Sequence, residues 1–199
     1  IISESASKRI AKYAFETAVQ RDSMKKVTCV HKSNVMRVTD GLFAKACTDV
    51  SKDYPDITFE EMYVDACAMN LIRQPEQFDV VVTTNLFGDI LSDESSQVVG
   101  GLGMAPAANI GDNFALFEPV HGAAFDIAGQ NIANPSSFLL SIKLMLDWLG
   151  AKHNDSKCFE VGAKLESTIF DLVKSGVKTK DIGGDASTVE FTKHITDNL

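Results

Sequence analysis

The stretch Phe78–Glu94, FDVVVTTNLFGDILSDE, decides the fold class of this chain. Its first seven residues form a continuous apolar run of strand length, which is typical of a strand buried on both faces of an α/β sheet. The residues from Asn85 to Val99 then have the pattern of a helix. Asp89 and Asp93 are four residues apart, so both carboxylates lie on one face of this helix, about one turn apart.

The paired acids allow two interpretations. Two neighbouring carboxylates repel each other unless a positive charge compensates, which favours a bound cation. Alternatively, the acids interact with the helix dipole, an explanation that fits Asp89 better than Asp93. Asp65, an acid in the apolar segment VDACAMNLI, favours the cation, because Mg²⁺ is bound by carboxylate oxygens and a lone charge in a buried helix is costly. A buried ion pair remains the competing explanation for Asp65.

Outward from this stretch, helices alternate with apolar strands, which predicts an α/β fold. One strand ends near His31, a short strand follows the loop DYPDITFEEM, and another lies in NFALFEPVHG. The helical patterns cover residues 5–20, 39–52, 62–72, 85–99, 135–149, 159–174 and 189–197. Ser5 or Ser7 is the expected cap of the first helix, and a Thr or Asp that of the second. The glycine-rich tract at residues 100–113 predicts a break in regular structure between two lobes.

Composition excludes several classes of protein. The chain has 199 residues, 45% of them hydrophobic, and a net charge of −8. An acidic chain is a poor partner for nucleic acid, and no apolar run approaches the ~18 residues that a membrane span needs. The cysteines show no metal-ligand spacing and are interpreted as core residues of a cytoplasmic protein: Cys29, Cys47, Cys67 and Cys158. Because the sequence begins IISESASKRI without methionine, we expect its natural start to be missing.

Two further segments are candidates for chemistry. HKSN, residues 31–34, follows a predicted strand, where ligand sites of open α/β sheets gather. Lys32 is therefore either a surface residue or a proton carrier, and His31 alone is interpreted as structural. In HGAAFDIAG, residues 121–129, Asp126 is placed to accept hydrogen bonds from a ribose diol. No GxGxxG fingerprint is present, and GGLG at residues 100–103 lacks the spacing of a phosphate loop.

Four segments in this order resemble the β-decarboxylating dehydrogenases, the family of 3-isopropylmalate, isocitrate and homoisocitrate dehydrogenases. They are VHKSNVMRVTDGLF, EMYVDACAMNLIRQPEQFDVVVTTNLFGDILSDE, GGLGMAPAANIGDN and EPVHGAAFDIAGQNIANP. The resemblance covers about residues 27 to 150. The resemblance implies the two-lobed isopropylmalate-dehydrogenase-like α/β fold, with its N-terminal part missing. Residues 1–99 would complete the smaller, dimer-forming substrate and metal lobe, and residues 100–199 the larger, cofactor-binding lobe.

The resemblance also implies roles for individual residues. Asp89 and Asp93 would bind Mg²⁺ or Mn²⁺, with Asp65 supplied to the same site by the neighbouring subunit. Lys32 matches the catalytic lysine, which reaches across the dimer interface, and Asp65 is expected to be catalytic with it. Asn34 would lie near the nicotinamide and the substrate. The adenosine-binding positions would be His121, Gly122, Ala123, Ala124, Asp126, Ile127 and Asn134. Asp126 and Ile127 replace the Lys and Tyr typical of NADP-using relatives, so NAD is the expected cofactor.

The implied activity is metal-dependent oxidative decarboxylation of a malate-type 2-hydroxy acid by a homodimer or higher homo-oligomer with shared sites. We expect 3-isopropylmalate as substrate, with isocitrate or homoisocitrate as alternatives. A non-catalytic regulatory subunit of an isocitrate dehydrogenase, or a binding domain built on the same fold, also stays open. The chain departs from the family at Phe125, where many members have Pro. The substrate arginines and proton-donating tyrosine are expected in the missing portion, so this chain alone should be inactive.

Overall fold

The computed structural model describes all residues from 1 to 199, and the chain forms two compact units, residues 1–98 and 99–199. The sequence places the division between residues 99 and 100, one residue from the observed one. The roles assigned to the two units stay predictions. None of the helices combines the length and apolar character that a membrane span requires.

The first unit is a three-stranded parallel sheet covered by helices, as the α/β pattern predicts. Its strands lie in the order β2-β1-β3, so that Val27 of the central strand stands opposite both Phe59 and Val80. In chain order its elements are α1 (Glu4–Arg21), β1 (Lys26–His31), α2 (Thr39–Ser51), β2 (Thr58–Tyr63), α3 (Val64–Arg73), β3 (Val80–Thr83) and α4 (Asn85–Val98).

The core of this unit lies between the sheet and α1 and α2. Buried alanines and Phe15 recur along α1 at helical spacing, and they pack with Val27 and Cys29 of the central strand. The predicted caps of α1 are wrong, because the helix begins earlier. Ser3 is the N-cap and accepts a hydrogen bond from the Ala6 N–H, while Ser7 lies buried inside the helix.

The apolar run at residues 78–84 was expected to be buried on both faces, and this expectation is wrong. β3 is an edge strand in this chain and Val81 is exposed, whereas five of the six residues of β1 are buried. The helix α3 was expected to be largely buried, yet Met69 and Ile72 are exposed. An apolar pattern indicates that side chains are suited to burial. It does not indicate whether the same chain or another surface buries them.

The second unit combines a β-hairpin with three helices. β4 (Pro106–Ile110) and β5 (Ala115–Pro119) pair in antiparallel fashion, and α5 (Ser136–His153), α6 (Ser156–Ser175) and α7 (Thr188–Asn198) follow. Its core contains Met104, Leu140, Leu165, Ile169, Phe191 and Ile195. The prediction of irregular structure across residues 100–113 is wrong for β4. Glycines at both ends of the tract obscured the strand, which pairs across a turn closed by the Gly111 N–H and the Phe114 carbonyl.

Candidate active site

The candidate catalytic residues follow the carboxyl ends of parallel strands. Lys32 comes directly after β1, Asp65 lies in the first turn of the helix after β2, and α4 begins two residues after β3. Because the three strands are parallel, their carboxyl ends meet at one edge of the sheet. The fold therefore brings Lys32, Asp65 and the start of α4 to this edge.

Lys32 and Asp65 form an ion pair. The Lys32 Nζ donates a short hydrogen bond to Asp65 Oδ1 and lies 5.7 Å from the centre of the Tyr63 ring. This hydrogen bond, with help from main-chain N–H groups at the start of α3, lowers the pKa of the Asp65 carboxyl. The Lys32 side chain is 23% exposed and that of Asp65 is 68% exposed. Asp65 is thus paired, as one alternative held, but the pair is open to water instead of buried.

A buried carboxylate holds the main chain of Lys32. The Lys32 N–H donates to Asp40 Oδ2 at 2.7 Å, and Asp40 is only 1% exposed. The sequence predicted a Thr or Asp cap at the start of α2, which is wrong. Val38 occupies the N-cap, where its apolar side chain has no acceptor for a cap bond, and the Asp40 carboxylate bonds to the Lys32 turn instead.

The turn after β1 is itself well ordered by hydrogen bonds. The Val35 and Met36 N–H groups donate to the Lys32 carbonyl at 3.0 and 2.8 Å. His31 is buried, accepts from the Ser33 N–H at Nδ1, and is 3.3 Å from Glu61 through Nε2. The imidazole therefore ties the turn to β2, in agreement with its structural interpretation. Asn34 is exposed at the tip of the turn.

The acids of α4 form a pair without a third member. Asp89 and Asp93 are exposed, and no basic side chain lies within ion-pair distance of either carboxylate. Carboxylate oxygens are the ligands that a hard cation such as Mg²⁺ prefers, and two aspartates one helical turn apart could supply two of them. Within this chain no group of three or more His, Cys, Asp or Glu side chains is arranged to hold a metal ion. Asp65 therefore does not complete a three-acid cluster in the single chain.

The predicted adenosine loop forms one wall of an open cleft of about 600 Å³ in the second unit. Five of the predicted cofactor contacts line it, together with the loop residues Ala128 and Gly129: His121, Gly122, Ala123, Ala124 and Ile127. Its glycine and alanines leave the main chain accessible, and the His121 ring bonds to the Gly122 carbonyl through Nδ1 at 3.0 Å. A wall of small residues suits the close approach of a flat, largely neutral ligand such as a nucleoside.

Two of the predicted adenosine contacts, Asp126 and Asn134, do not line the cleft. Asp126 lies exposed in the short 3-10 helix Phe125–Ile127, where its carbonyl accepts from the Gln130 side chain at 2.7 Å. The Asn134 side chain is used within the protein. Its Oδ1 accepts from the Ser136 N–H at 2.9 Å, and its Nδ2 donates to Asp181 at 3.0 Å. Any contact of Asn134 with a base would therefore fall to its main chain.

Two elements of these sites were missed by sequence reasoning. Asp40 was interpreted only as a possible cap, and its spacing of eight residues from Lys32 carries no general signal. The far wall of the cleft contains Asn131, Ala133 and the first residues of α7, Thr188 and Val189. More than fifty residues separate the loop from α7, so their contact depends on the tertiary fold.

A lysine and an acid lie at the carboxyl edge of a parallel sheet, and a cleft lined by small residues lies in a second unit. This combination is typical of an α/β enzyme that binds its substrate and its cofactor on separate lobes. The family model described as isocitrate/isopropylmalate dehydrogenase matches residues 1–199, and the chain belongs to this family. The resemblance predicted from the four motifs, and the fold class that it implied, are thereby confirmed.

Relatives with assigned activities are similar along the whole chain. The 3-isopropylmalate dehydrogenase of Sulfurisphaera tokodaii is 53% identical over 100% of this chain and 58% of its own length. The homoisocitrate dehydrogenase of Methanocaldococcus jannaschii is 48% identical, over 98% of this chain and 54% of its own length. A crystal structure of isocitrate dehydrogenase from Methylococcus capsulatus matches 100% of this chain and 57% of its own, with a TM-score of 0.89 and 39% identity. This chain thus spans somewhat more than half the length of these relatives.

Proposed function

We propose that the whole protein containing this chain oxidises a malate-type 2-hydroxy acid with NAD and then decarboxylates it, in a reaction that depends on a divalent metal. The observation that carries this proposal is the ion pair of Lys32 and Asp65 at the carboxyl edge of the sheet, in the unit that also exposes Asp89 and Asp93. A 2-hydroxy acid and NAD⁺ would give the 2-keto acid, NADH and a proton, and the β-keto acid would then lose CO₂.

The metal site is proposed at α4. Asp89 and Asp93 would hold Mg²⁺ or Mn²⁺, and Asp65 of a second copy would join them, since one chain assembles no three-acid cluster. When bound, the metal supplies Lewis-acid chemistry that lowers the pKa of the substrate hydroxyl and stabilises negative charge on the decarboxylating intermediate. Both aspartates are exposed and free of basic partners, so they are available to a cation without breaking an ion pair.

Lys32 is proposed to move the proton of the substrate hydroxyl. Its Nζ already bonds to Asp65, whose carboxyl is largely exposed, so the pair links a proton-carrying amine to solvent. The buried Asp40 fixes the main chain of Lys32, which limits the positions that Nζ occupies. These residues perform the transfer as a unit, with Asp65 keeping Nζ oriented.

The cofactor is proposed to bind the cleft of the second unit through its adenosine half. Small residues at Gly122, Ala123 and Ala124 leave room for the nucleoside against the main chain. Asp126 would accept hydrogen bonds from the ribose hydroxyls and repel a 2′-phosphate, which favours NAD over NADP. Asn34, exposed at the tip of the Lys32 turn, is proposed to lie near the nicotinamide.

The proposed assembly is a homodimer or higher homo-oligomer with shared sites. Helices α3 and α4 pack together through Cys67, Leu71 and Leu91. They nevertheless leave large apolar side chains in water, at Met69, Ile72, Leu86 and Ile90. A second copy covering these helices would remove that surface from water, which is the usual meaning of such an exposed set.

We infer that the substrate is 3-isopropylmalate, which would place the protein in leucine biosynthesis. The 53% identity to an archaeal 3-isopropylmalate dehydrogenase supports this choice. Isocitrate or homoisocitrate is the second candidate, because a homoisocitrate dehydrogenase is 48% identical and an isocitrate dehydrogenase shares the fold with a TM-score of 0.89. A purely regulatory subunit is less well supported, since Lys32, Asp65, Asp89 and Asp93 are all present.

The compartment belongs to the same proposal. Four cysteines are free, and three of them are buried, which suits a protein of the reducing cytoplasm.

NADH formation by the intact protein tests this function. The protein is assayed in parallel with 3-isopropylmalate, isocitrate and homoisocitrate, each with Mg²⁺ and with a chelator. The proposal predicts metal-dependent NADH formation that is fastest with 3-isopropylmalate. Faster turnover of isocitrate or homoisocitrate would reassign the substrate, and no turnover of any of the three would support a regulatory or binding role.

A further inference from the structure

The first residues of α7 form one wall of the cleft in the second unit, and Asn131 joins them to the adenosine loop on the other wall. Asn131 lines the cleft and has a left-handed backbone conformation, with φ of 58°. Asparagine is among the few residues other than glycine that adopt this conformation at low cost. In this conformation Asn131 directs both its carbonyl and its side-chain oxygen to the same helix end.

Three hydrogen bonds fix α7 to the loop. The Thr188 N–H donates to the Asn131 carbonyl at 3.0 Å, and the Val189 N–H donates to Asn131 Oδ1 at 3.1 Å. The Thr188 hydroxyl donates to the Ala133 carbonyl at 2.6 Å. Asn131 Oδ1 is thus the one side-chain acceptor in a contact that otherwise uses main-chain carbonyls.

The contact also defines what α7 offers to a ligand. The Glu190 N–H donates to Ser187 Oγ at 3.2 Å, and the Ser187 N–H donates to the Glu190 carboxylate at 2.9 Å. With Thr188 and Val189 bonded to Asn131, each amide from residue 187 to 190 has an acceptor within the protein. The helix end therefore has no free amide for a phosphate, and it presents the exposed Val189 side chain to the cleft. A helix end of this kind favours a neutral group over a phosphate.

We propose that Asn131 is a positioning residue: its side-chain oxygen holds the N-terminus of α7 against the adenosine loop and so sets the width of the cleft for the nucleoside. This inference rests on the proposed function, in which the adenosine half of the cofactor occupies the cleft. Asn131 itself takes no part in the chemistry.

Two variants and a control separate this role from general stability. Asn131→Gly keeps the left-handed backbone but removes the acceptor, whereas Asn131→Asp keeps an acceptor oxygen at the same place. The matched control is Asn154→Gly, because Asn154 also has a left-handed backbone, with φ of 52°, and ends α5 away from the cleft. Adenosine is the probe, since a neutral ligand does not respond to the charge that the Asn131→Asp substitution adds.

Binding is followed by NMR titration of the intact protein, together with hydrogen exchange of the Val189 amide. Asn131→Gly is expected to weaken adenosine binding about threefold to tenfold, the effect of one neutral hydrogen bond, and to speed exchange at Val189. Asn131→Asp is expected to keep the adenosine affinity and the Val189 exchange rate close to those of the wild type, and Asn154→Gly to leave both unchanged. Wild-type binding by Asn131→Gly, or a failure of Asn131→Asp to rescue, would overturn the inference. An intact wild-type protein that binds neither adenosine nor NADH would instead overturn the proposed cofactor site.

Discussion

At the scale of the residue, Asp40 is the carboxylate on which the position of Lys32 depends. It is almost fully buried, and its Oδ2 accepts the Lys32 N–H at 2.7 Å. Removing it leaves a part-buried N–H without a partner, whereas an amide side chain can still accept the bond.

The Asp40→Ala variant is expected to lower the free energy of unfolding by about 1–3 kcal/mol, the penalty for an unsatisfied buried donor. Asp40→Asn should recover part of this loss. Urea unfolding of the chain measures both. The control is Asp49→Ala, which removes an exposed pair with Lys52 from the same helix and should change little. Equal effects of the alanine variants at 40 and 49 would contradict the role of Asp40.

The Lys32–Asp65 pair makes a second prediction at this scale. The Lys32 hydrogen bond lowers the pKa of the Asp65 carboxyl from its ordinary value of 3.8, so Lys32→Met should return it towards that value. The pair therefore stabilises the folded chain fully above pH 3.8, and this contribution is lost as the pH falls through the lowered folded-state pKa. NMR titration of the Asp65 carboxyl in both proteins is the measurement. An identical pKa in the two would show that the pair does not form in solution.

The sequence predicted the residues at this edge of the sheet better than their environment. Short-range patterns were enough to place Lys32 after one strand and the pair Asp89 and Asp93 after another, because each strand and its polar residues lie within about fifteen residues of chain. The Asp40 contact and the exposure of the Lys32–Asp65 pair depend on how three segments meet. The spacing of residues along one segment carries no information about its tertiary contacts with the others.

At the scale of the element, the turn before α7 depends on Gly184. A Cβ built on this residue would collide with the Lys178 carbonyl oxygen, a main-chain atom that has no rotamer by which to move away. The Gly184 N–H also donates to the Thr179 carbonyl at 3.0 Å, which holds the turn closed. The need for glycine at position 184 arises from this close approach of Lys178, which no local sequence pattern indicates.

Gly184→Ala is accordingly expected to destabilise the chain by about 1–3 kcal/mol, as overpacking against a fixed neighbour does. Gly122→Ala is the matched control, because nothing lies within 4 Å of the added Cβ and its backbone is not left-handed. Thermal unfolding compares the two variants with the wild type. Equal melting temperatures for the two variants would contradict the close approach at Gly184.

Strands and helices were predicted with different success for a physical reason. Helices of ten residues or more carry several turns of periodicity, and all seven were placed. β4 was missed because five residues between glycine-rich segments carry too little alternation, and its pairing with β5 supplies what the local sequence does not.

At the scale of the whole molecule, the exposed apolar side chains of α3 and α4 determine self-association in this account. Ile72 is 75% exposed and Leu86 is 65% exposed, although both belong to helices that pack on the core. If a second copy covered these helices, a charge at either position would lose its contact with water, which is energetically costly.

The double variant Ile72→Glu/Leu86→Glu is therefore expected to shift the protein towards monomer, with its far-UV circular dichroism unchanged. Val161→Glu is the control, because Val161 is an exposed valine of α6 in the second unit, 54% exposed. Sedimentation velocity over a range of concentrations gives the answer. Dimers of undiminished affinity in the double variant would place the interface elsewhere.

The central claim is that the carboxyl edge of the sheet carries out metal-dependent oxidative decarboxylation. Its most direct test measures NADH and CO₂ released together by the intact protein from 3-isopropylmalate, with Mg²⁺, in the wild type and in Asp93→Asn. The proposed reaction gives equal amounts of NADH and CO₂ in the wild type. In the variant we expect a loss of both of at least about tenfold, because changes even to the partners of metal ligands cost about 10–100-fold. NADH and CO₂ production that survives the Asp93→Asn substitution unchanged would contradict it.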